Sequence, residues 1–185
     1  MQTLSRSAGS GSVRINTVAL GGVCAALAFV LGWQFALDAR PCPLCLLQRV
    51  AFVMAGVGLL LNVRFGPSSL HYSAVLIAAV AGLALAGAPA FLPAEPGGSG
   101  PLLLGLPLHA WAFLAFGALL AYCAVMLALD RKWGDNAIPR PASLAGGLVM
   151  WLFLALALAH LALAVLECGP GTCPDRPVAY LWFRS

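Results

Sequence analysis

The sequence predicts an all-α fold, a polytopic membrane helix bundle, and three observations support this prediction. Of the 185 residues, 62% are hydrophobic and only 9% are charged, whereas soluble domains carry about 25% charged residues. The apolar residues form runs of about 20, the length of a helix that crosses a bilayer. In lipid, backbone amides must be paired within the segment, which favours helices. We therefore set aside a soluble enzyme. The net charge is +4, but basic residues do not form a stripe with aromatic residues between them, so we also set aside nucleic-acid binding.

Five apolar runs are long enough to span a membrane. They cover residues 17–37, 44–63, 73–90, 109–129 and 143–166. The first run is longer than the 7–15-residue core of a cleavable signal peptide, so we expect it to be retained. The predicted organisation is a disordered cytoplasmic leader (1–16), a four-helix membrane core (17–130), a cytoplasmic loop with a fifth transmembrane helix (131–166) and an outer, cysteine-containing tail (167–185).

The distribution of basic residues predicts that the N-terminus is cytoplasmic and, after five spans, that the C-terminus lies outside. The predicted inner segments hold Arg6, Arg14, Arg64, Arg131, Lys132 and Arg140, and the outer ones hold Arg40, Arg176 and Arg184. Basic residues in short loops favour the cytoplasmic side, so the larger group marks the inner face.

Four of the six cysteines fall into two close pairs on the predicted outer side. These are Cys42 with Cys45, before and at the start of the second span, and Cys168 with Cys173, after the fifth. Disulfides persist on the oxidising side of the membrane. The other two, Cys24 and Cys123, lie inside spans, and we expect them to be buried packing residues with inert thiols.

The Cys-x-x-Cys at residues 42–45 has features of a redox site. A helix N-terminus favours the thiolate, the species that attacks disulfides. Pro43 suits a first helical turn because it lacks an amide proton. Arg49 follows Cys45 by one turn on the same helical face, with Gln48 beside it. An arginine inside the membrane indicates a functional partner, although snorkelling to the headgroups is the alternative.

Two other uses of the cysteines stay open at this point. The two pairs together could bind a metal ion through four thiolates, although structural zinc sites usually lie in compact hydrophilic modules. Alternatively, Cys168 and Cys173 could form a purely structural disulfide, because the Gly-Pro-Gly-Thr stretch at residues 169–172 is typical of a turn.

The stretch PCPLCLLQR at 41–49 resembles the disulfide bond formation protein B (DsbB) family of bacterial inner membranes. A second stretch, LGLPLHAW at 104–111, is similar to the entry of that family's last helix, so the resemblance covers about residues 17–130. It implies a multi-pass inner-membrane, quinone-dependent protein disulfide oxidoreductase. The enzyme would oxidise a periplasmic DsbA-like thioredoxin-fold protein and pass the electrons to a quinone in the membrane lipid, either ubiquinone or menaquinone. No metal is expected.

The resemblance also implies roles for individual residues. Cys42 and Cys45 would form the quinone-facing pair, with Cys45 nearest the ring. Arg49 would hydrogen-bond a quinone oxygen, and we place Gln48 and His109 in the same binding site. For His109, together with Trp111, an interfacial anchor is the alternative.

One departure from the family pattern concerns the second cysteine pair. The family carries this pair in the loop before the fourth helix, whereas residues 91–108 contain no cysteine here. We infer from topology that Cys168 and Cys173 substitute for it, without deciding which of them forms the mixed disulfide with the partner.

Two other functions are alternatives to the thiol oxidase. One is a vitamin K epoxide reductase-like quinone and disulfide enzyme, and the other is a non-catalytic metal-handling or assembly protein. His160 could relay protons or simply bond a neighbouring helix. Trp33 and Gln34, near the end of the first span, are similarly open.

Overall fold

The computed structural model describes residues 2–36, 43–90, 102–133 and 143–168, and within them the side chains of 11–36, 43–89, 102–129 and 143–167. The elements in these ranges are α1 (Gln2–Ala36), α2 (Pro43–Phe65), α3 (Ser69–Gly87) with a 3-10 turn at Ala88–Ala90, β1 (Leu102–Leu103), β2 (Leu106–Pro107), α4 (Leu108–Trp133) and α5 (Leu144–Cys168). Five helices in the described part are long and apolar enough to cross a membrane. The predicted fold class, a polytopic helical bundle with a fifth spanning helix, is confirmed.

Two helix starts follow from their first residues. Helix α2 begins at Pro43, as predicted, because proline at this position loses no hydrogen bond. Helix α5 follows Ser143, whose side-chain oxygen accepts a hydrogen bond from the amide of Gly146 at 3.1 Å. This bond satisfies one of the amides that an N-terminal turn leaves open.

Helix α1 differs from the prediction at its N-terminal end. It begins at Gln2, so the segment 1–16, which we predicted to be a disordered leader, is helical from residue 2 onward. No proline interrupts this segment, so the helix of the span can continue through it. Asn16 and Thr17 also bond back to the carbonyls of Ser12 and Val13, each at 2.9 Å.

The ends of α3 and α4 also differ from the predicted spans. Helix α3 begins at Ser69 instead of residue 73, because Tyr72, which the hydropathy pattern assigns to a loop, is completely buried. Helix α4 continues to Trp133 and therefore includes Arg131 and Lys132, which the same pattern assigns to the following loop.

A short hairpin precedes α4, and no pattern in the sequence indicated it. Strands β1 and β2 are antiparallel and two residues long. The turn between them requires positive φ angles, 51° at Leu104 and 81° at Gly105. Glycine adopts such angles freely, and two-residue hairpin turns need them. The side chain of Trp111 in α4 donates a hydrogen bond to the carbonyl of Leu103 at 3.0 Å, which holds the hairpin against the helix.

Helices α1 to α4 pack in chain order, and α5 packs against α1 and α2. The α2–α5 contact is close because Gly56 has no side chain: a Cβ atom there would collide with the ring of Phe153. The rings of Phe52 and Phe116 are stacked, with centroids 4.1 Å apart. The core therefore combines aromatic rings with small residues, as is common between membrane helices.

Helices α1 and α5 run in the same direction. Two hydrogen bonds join them, Gln34 to Glu167 and His160 to the carbonyl of Leu27, and both link residues 133 apart in the chain. Because the two contacts join residues with the same separation in the chain, the two helices must be parallel. The C-terminal ends of α1 and α5 therefore lie at one end of the bundle, with the N-terminal end of α2. We call this the Cys45 end and the opposite one the Asn62 end.

Candidate functional site

The Arg49 side chain lies in the interior of the bundle at the Cys45 end. It is only 9% exposed, and its Nη1 donates a hydrogen bond to Gln34 Oε1 at 2.7 Å. The alternative in which Arg49 snorkels to the headgroups therefore does not describe this structure, because the guanidinium points to a partner on α1.

Gln34 connects Arg49 to Glu167 at the end of α5. Its amide nitrogen donates a hydrogen bond to Glu167 Oε1, and both side chains are buried, with exposures of 5% and 3%. The Glu167 carboxylate acts electrostatically on the guanidinium of Arg49. A buried cation is tolerated when a counter-ion and hydrogen bonds satisfy it. These three residues, together with Gln48, form what we call the arginine cluster.

Gln48 belongs to the cluster as a contact between α2 and α3. It is buried, and its Nε2 donates to the carbonyl of Leu85 at 3.3 Å. This hydrogen bond joins two helices and does not test quinone binding, so the role of Gln48 in the quinone site stays a prediction.

The cysteine next to the arginine cluster is in a disulfide. Cys45 is half-buried in the first turn of α2 and is disulfide-bonded. Among the described side chains, Cys24 and Cys123 are free and buried, as expected for packing residues. Cys24 also makes a long contact of 3.9 Å to the carbonyl of Val149.

The other predicted catalytic cysteines fall at or beyond the limits of the described residues. Cys42 and Cys173 lie outside them, and for Cys168 only the backbone is described, as the last residue of α5. Because Glu167 contacts Gln34, this backbone position is at the Cys45 end. The structure thus brings the ends of α2 and α5 together.

One donor in the cluster has no partner among the described residues. The Nε atom of Arg49 is buried without a hydrogen bond there, and so is the indole nitrogen of Trp33. An unsatisfied buried donor costs about 1–3 kcal/mol, so a ligand that offers an acceptor oxygen fits this position. A quinone carbonyl is such an acceptor, and the residues present are therefore compatible with the cofactor that the family resemblance implies.

His109 lies in the first turn of α4 and is half-buried. The hydrogen bonds of the arginine cluster connect α1, α2, α3 and α5 and do not involve it. Nearby Trp111 anchors the hairpin, which agrees with the alternative of an interfacial anchor for that residue. The binding role of His109 stays a prediction.

A second buried polar group lies at the Asn62 end, and the sequence did not point to it. Asn62 donates to Asn16 at 3.1 Å, and Asn16 donates to the hydroxyl of Tyr72 at 2.7 Å. The Asn62 Oδ1 atom lies 3.1 Å from the amide of Ser68 and 3.2 Å from Nδ1 of His71. We call these residues, Asn16, Asn62, Ser68, His71 and Tyr72, the asparagine cluster.

Sequence reasoning also missed the roles of Gln34 and Glu167. A signal was present, because a buried arginine requires a nearby carboxylate, and Glu167 is the acidic residue that directly follows the fifth apolar run. His160 bonds the carbonyl of Leu27 on α1 at 3.1 Å, the neighbouring-helix role we gave as one option. In the described part of the chain, no three His, Cys, Asp or Glu side chains gather into a metal-binding group.

The described residues define a helical membrane protein in which a disulfide-bonded cysteine lies one turn before a buried arginine. Comparison with known proteins shows a similarity to one family: the model of the disulfide bond formation protein DsbB family matches residues 13–99. The chain is also similar to disulfide bond formation protein B of Pseudomonas syringae pv. tomato (strain ATCC BAA-871 / DC3000), with 37% identity over 102 residues.

That similarity covers 49% of this chain and 60% of the relative. No solved structure matches the chain. The resemblance to the DsbB family is confirmed over residues 13–99, which include Cys42, Cys45, Gln48 and Arg49. Helices α4 and α5, and with them Glu167, lie beyond the matched residues.

Proposed function

We propose that this protein is a membrane thiol oxidase that generates disulfides in a periplasmic, DsbA-like thioredoxin-fold protein and passes the electrons to a membrane quinone. The observation that carries the proposal is the disulfide-bonded Cys45 one helical turn before Arg49, whose Nε lacks a partner among the described residues. The match to the DsbB family over this region and the name of the similar Pseudomonas protein support it.

The electron balance of the reaction is simple. Each turnover removes two electrons and two protons from a partner dithiol, which becomes a disulfide, and delivers them to one quinone, ubiquinone or menaquinone. In this proposal Cys168 and Cys173 exchange with the partner, and Cys42 and Cys45 pass the electrons on. The quinone is the two-electron acceptor.

Arg49 has two tasks in this proposal. Its guanidinium donates a hydrogen bond to the acceptor oxygen and stabilises the negative charge that develops there. Its position within the bundle, away from water, strengthens that interaction. Gln48, which borders the same end of α2, and His109 in the first turn of α4 complete the proposed binding site.

The proposed orientation places the protein in the bacterial inner membrane with a cytoplasmic N-terminus and a periplasmic C-terminus. Helix polarity supports it: Arg14 in α1 and Arg64 in the last turn of α2 lie toward the Asn62 end, as do Arg131 and Lys132 at the end of α4. Basic residues favour the cytoplasmic side. The Cys45 end then faces the periplasm, where disulfides form.

The test is turnover by the purified protein in detergent with ubiquinone-1 or menadione and a reduced thioredoxin-fold dithiol protein, following quinone absorbance and free thiols together. We expect Cys45→Ser to abolish quinone reduction. Cys123→Ala, which changes a free and fully buried cysteine, is the matched control and should keep turnover. Quinone reduction by Cys45→Ser at the wild-type rate would refute the proposal.

The same assay tests the second cysteine pair. Cys168→Ser and Cys173→Ser should each stop oxidation of the dithiol protein, while binding of ubiquinone-1 is retained. Full turnover by both variants would show that this pair does not substitute for the one that residues 91–108 lack.

A further inference from the structure

The guanidinium of Arg49 is held from one side by a chain of two buried groups on two different helices. Gln34 on α1 accepts a hydrogen bond from Nη1 at 2.7 Å and donates one to Glu167 on α5. All three side chains are at least nine-tenths buried. Helix α5 therefore reaches the guanidinium through an intermediate amide.

The chemistry of these groups fixes the orientation of the Gln34 amide. Arginine has donors only, and an ionised carboxylate has acceptors only. The carbonyl of Gln34 must therefore face Arg49, and its amino group must face Glu167. If Glu167 were neutral, the amino group of Gln34 would lose its charged acceptor, and Arg49 alone would hold the orientation of the amide.

The hydrogen bond to Gln34 also orients the rest of the Arg49 guanidinium. The guanidinium is planar, so a bond that fixes Nη1 also fixes the direction of Nε. That atom is buried and has no partner among the described residues, and it is the donor available for an incoming acceptor oxygen.

We propose that Glu167 is a positioning residue for Arg49, acting through Gln34, and that it thereby makes α5 a working part of the quinone site. This inference rests on the proposed function and deepens it. It also explains a buried carboxylate directly beside Cys168, on the helix that lies outside the region matched by the family.

The experiment measures equilibrium binding of ubiquinone-1 to the oxidised protein in detergent by tryptophan fluorescence, and KM and kcat for ubiquinone-1 separately. For Glu167→Gln we expect Kd and KM to rise about tenfold, the effect of misplacing one charge-assisted hydrogen bond. The change in kcat should be smaller, because the guanidinium is still present. Binding is expressed per folded protein, as measured by size-exclusion chromatography.

A swapped variant separates positioning from general packing. Gln34→Glu combined with Glu167→Gln returns a carboxylate to the cluster, now in direct reach of Arg49 Nη1, and leaves an amide at position 167 that can donate to it. We expect this double variant to recover a Kd within about threefold of the wild type, since the charge-assisted hydrogen bond is restored. Rescue of this kind is not expected if Glu167 only fills space.

The matched control is His160→Leu, which removes the other hydrogen bond between α1 and α5 and none of the hydrogen bonds of the arginine cluster. Its Kd should equal that of the wild type. If Glu167→Gln does not fold, Glu167→Asp carries the test: it keeps the charge but is one methylene too short to hold Gln34, so its Kd should also rise.

The outcomes distinguish the proposed function from the positioning role of Glu167. A wild-type protein that binds neither ubiquinone-1 nor menadione would refute the proposed function, and this inference with it. A wild type that binds ubiquinone-1, with unchanged Kd in Glu167→Gln or Glu167→Asp, would refute the positioning role alone. The positioning role would also be refuted if His160→Leu weakened binding as much as Glu167→Gln.

Discussion

The two ends of the bundle both contain buried polar side chains, yet these are organised differently. In the asparagine cluster, neutral amides and a hydroxyl bond to one another and to the backbone at Ser68. In the arginine cluster, a charged side chain bonds a neutral amide that leads to a carboxylate. The first network joins neutral groups to one another, whereas the second leaves the Nε donor of Arg49 without a partner in the described part of the chain.

This difference indicates two different purposes. Neutral hydrogen-bond networks between membrane helices stabilise packing, and Asn62 does so where α2 turns into α3 at Gly66, whose φ is 96°. Charges within a membrane are expensive and indicate function. We therefore expect changes in the arginine cluster to affect activity and changes in the asparagine cluster to affect stability.

Among changes in the two clusters, the largest effect is expected for Arg49→Met. Loss of the cation should lower quinone turnover about 100-fold, the usual cost of removing a donor that stabilises developing charge. Because the single variant leaves Glu167 buried without its counter-ion, it is best compared with Arg49→Met combined with Glu167→Gln. Steady-state turnover and the unfolding midpoint in detergent are the measurements. If the double variant recovers stability and also turnover, the arginine cluster is structural, and the contrast between the two ends disappears.

A smaller effect, on stability only, is expected for Asn62→Ala. This change removes the contacts of Asn62 with Asn16, Ser68 and His71 and should lower the free energy of unfolding by about 1.5 kcal/mol. Unfolding by denaturant in mixed micelles measures it, and turnover per folded molecule should match the wild type. Met54→Ala, at an exposed position of the same helix, is the control. A loss of turnover in folded Asn62→Ala would mean that the two ends are functionally coupled.

The smallest effect is expected for Tyr72→Phe, which removes only the hydroxyl from the asparagine cluster. Asn16 loses one acceptor at 2.7 Å but keeps its bond to the carbonyl of Ser12. The expected loss is about 0.6 kcal/mol, typical of one hydrogen bond between membrane helices. The same unfolding assay measures it. A loss as large as that of Asn62→Ala would show that the hydroxyl, and not the amide of Asn62, is the centre of the network.

The spanning helices were predictable from sequence because each run of apolar residues reports directly on the bilayer thickness. The start of α2 at Pro43 was also predictable, because proline is favoured in the first turn of a helix. By contrast, the partners of Arg49 come from α1 and α5, and sequence periodicity within one helix does not say which residues of another helix it will meet. Tyr72 shows the same limit, since its polar hydroxyl suggested a loop while its burial depends on Asn16, 56 positions away in the chain.

The parallel packing of α1 and α5 also bears on biosynthesis. A chain is made from its N-terminus, and α2 enters the membrane with Arg49 before α5 has been synthesised. Until Glu167 arrives, the Gln34 amide holds the guanidinium without the carboxylate, and water or lipid headgroups must compensate the charge. The last helix thus completes the arginine cluster, so that formation of the site is coupled to the insertion of α5 rather than to that of the four helices before it.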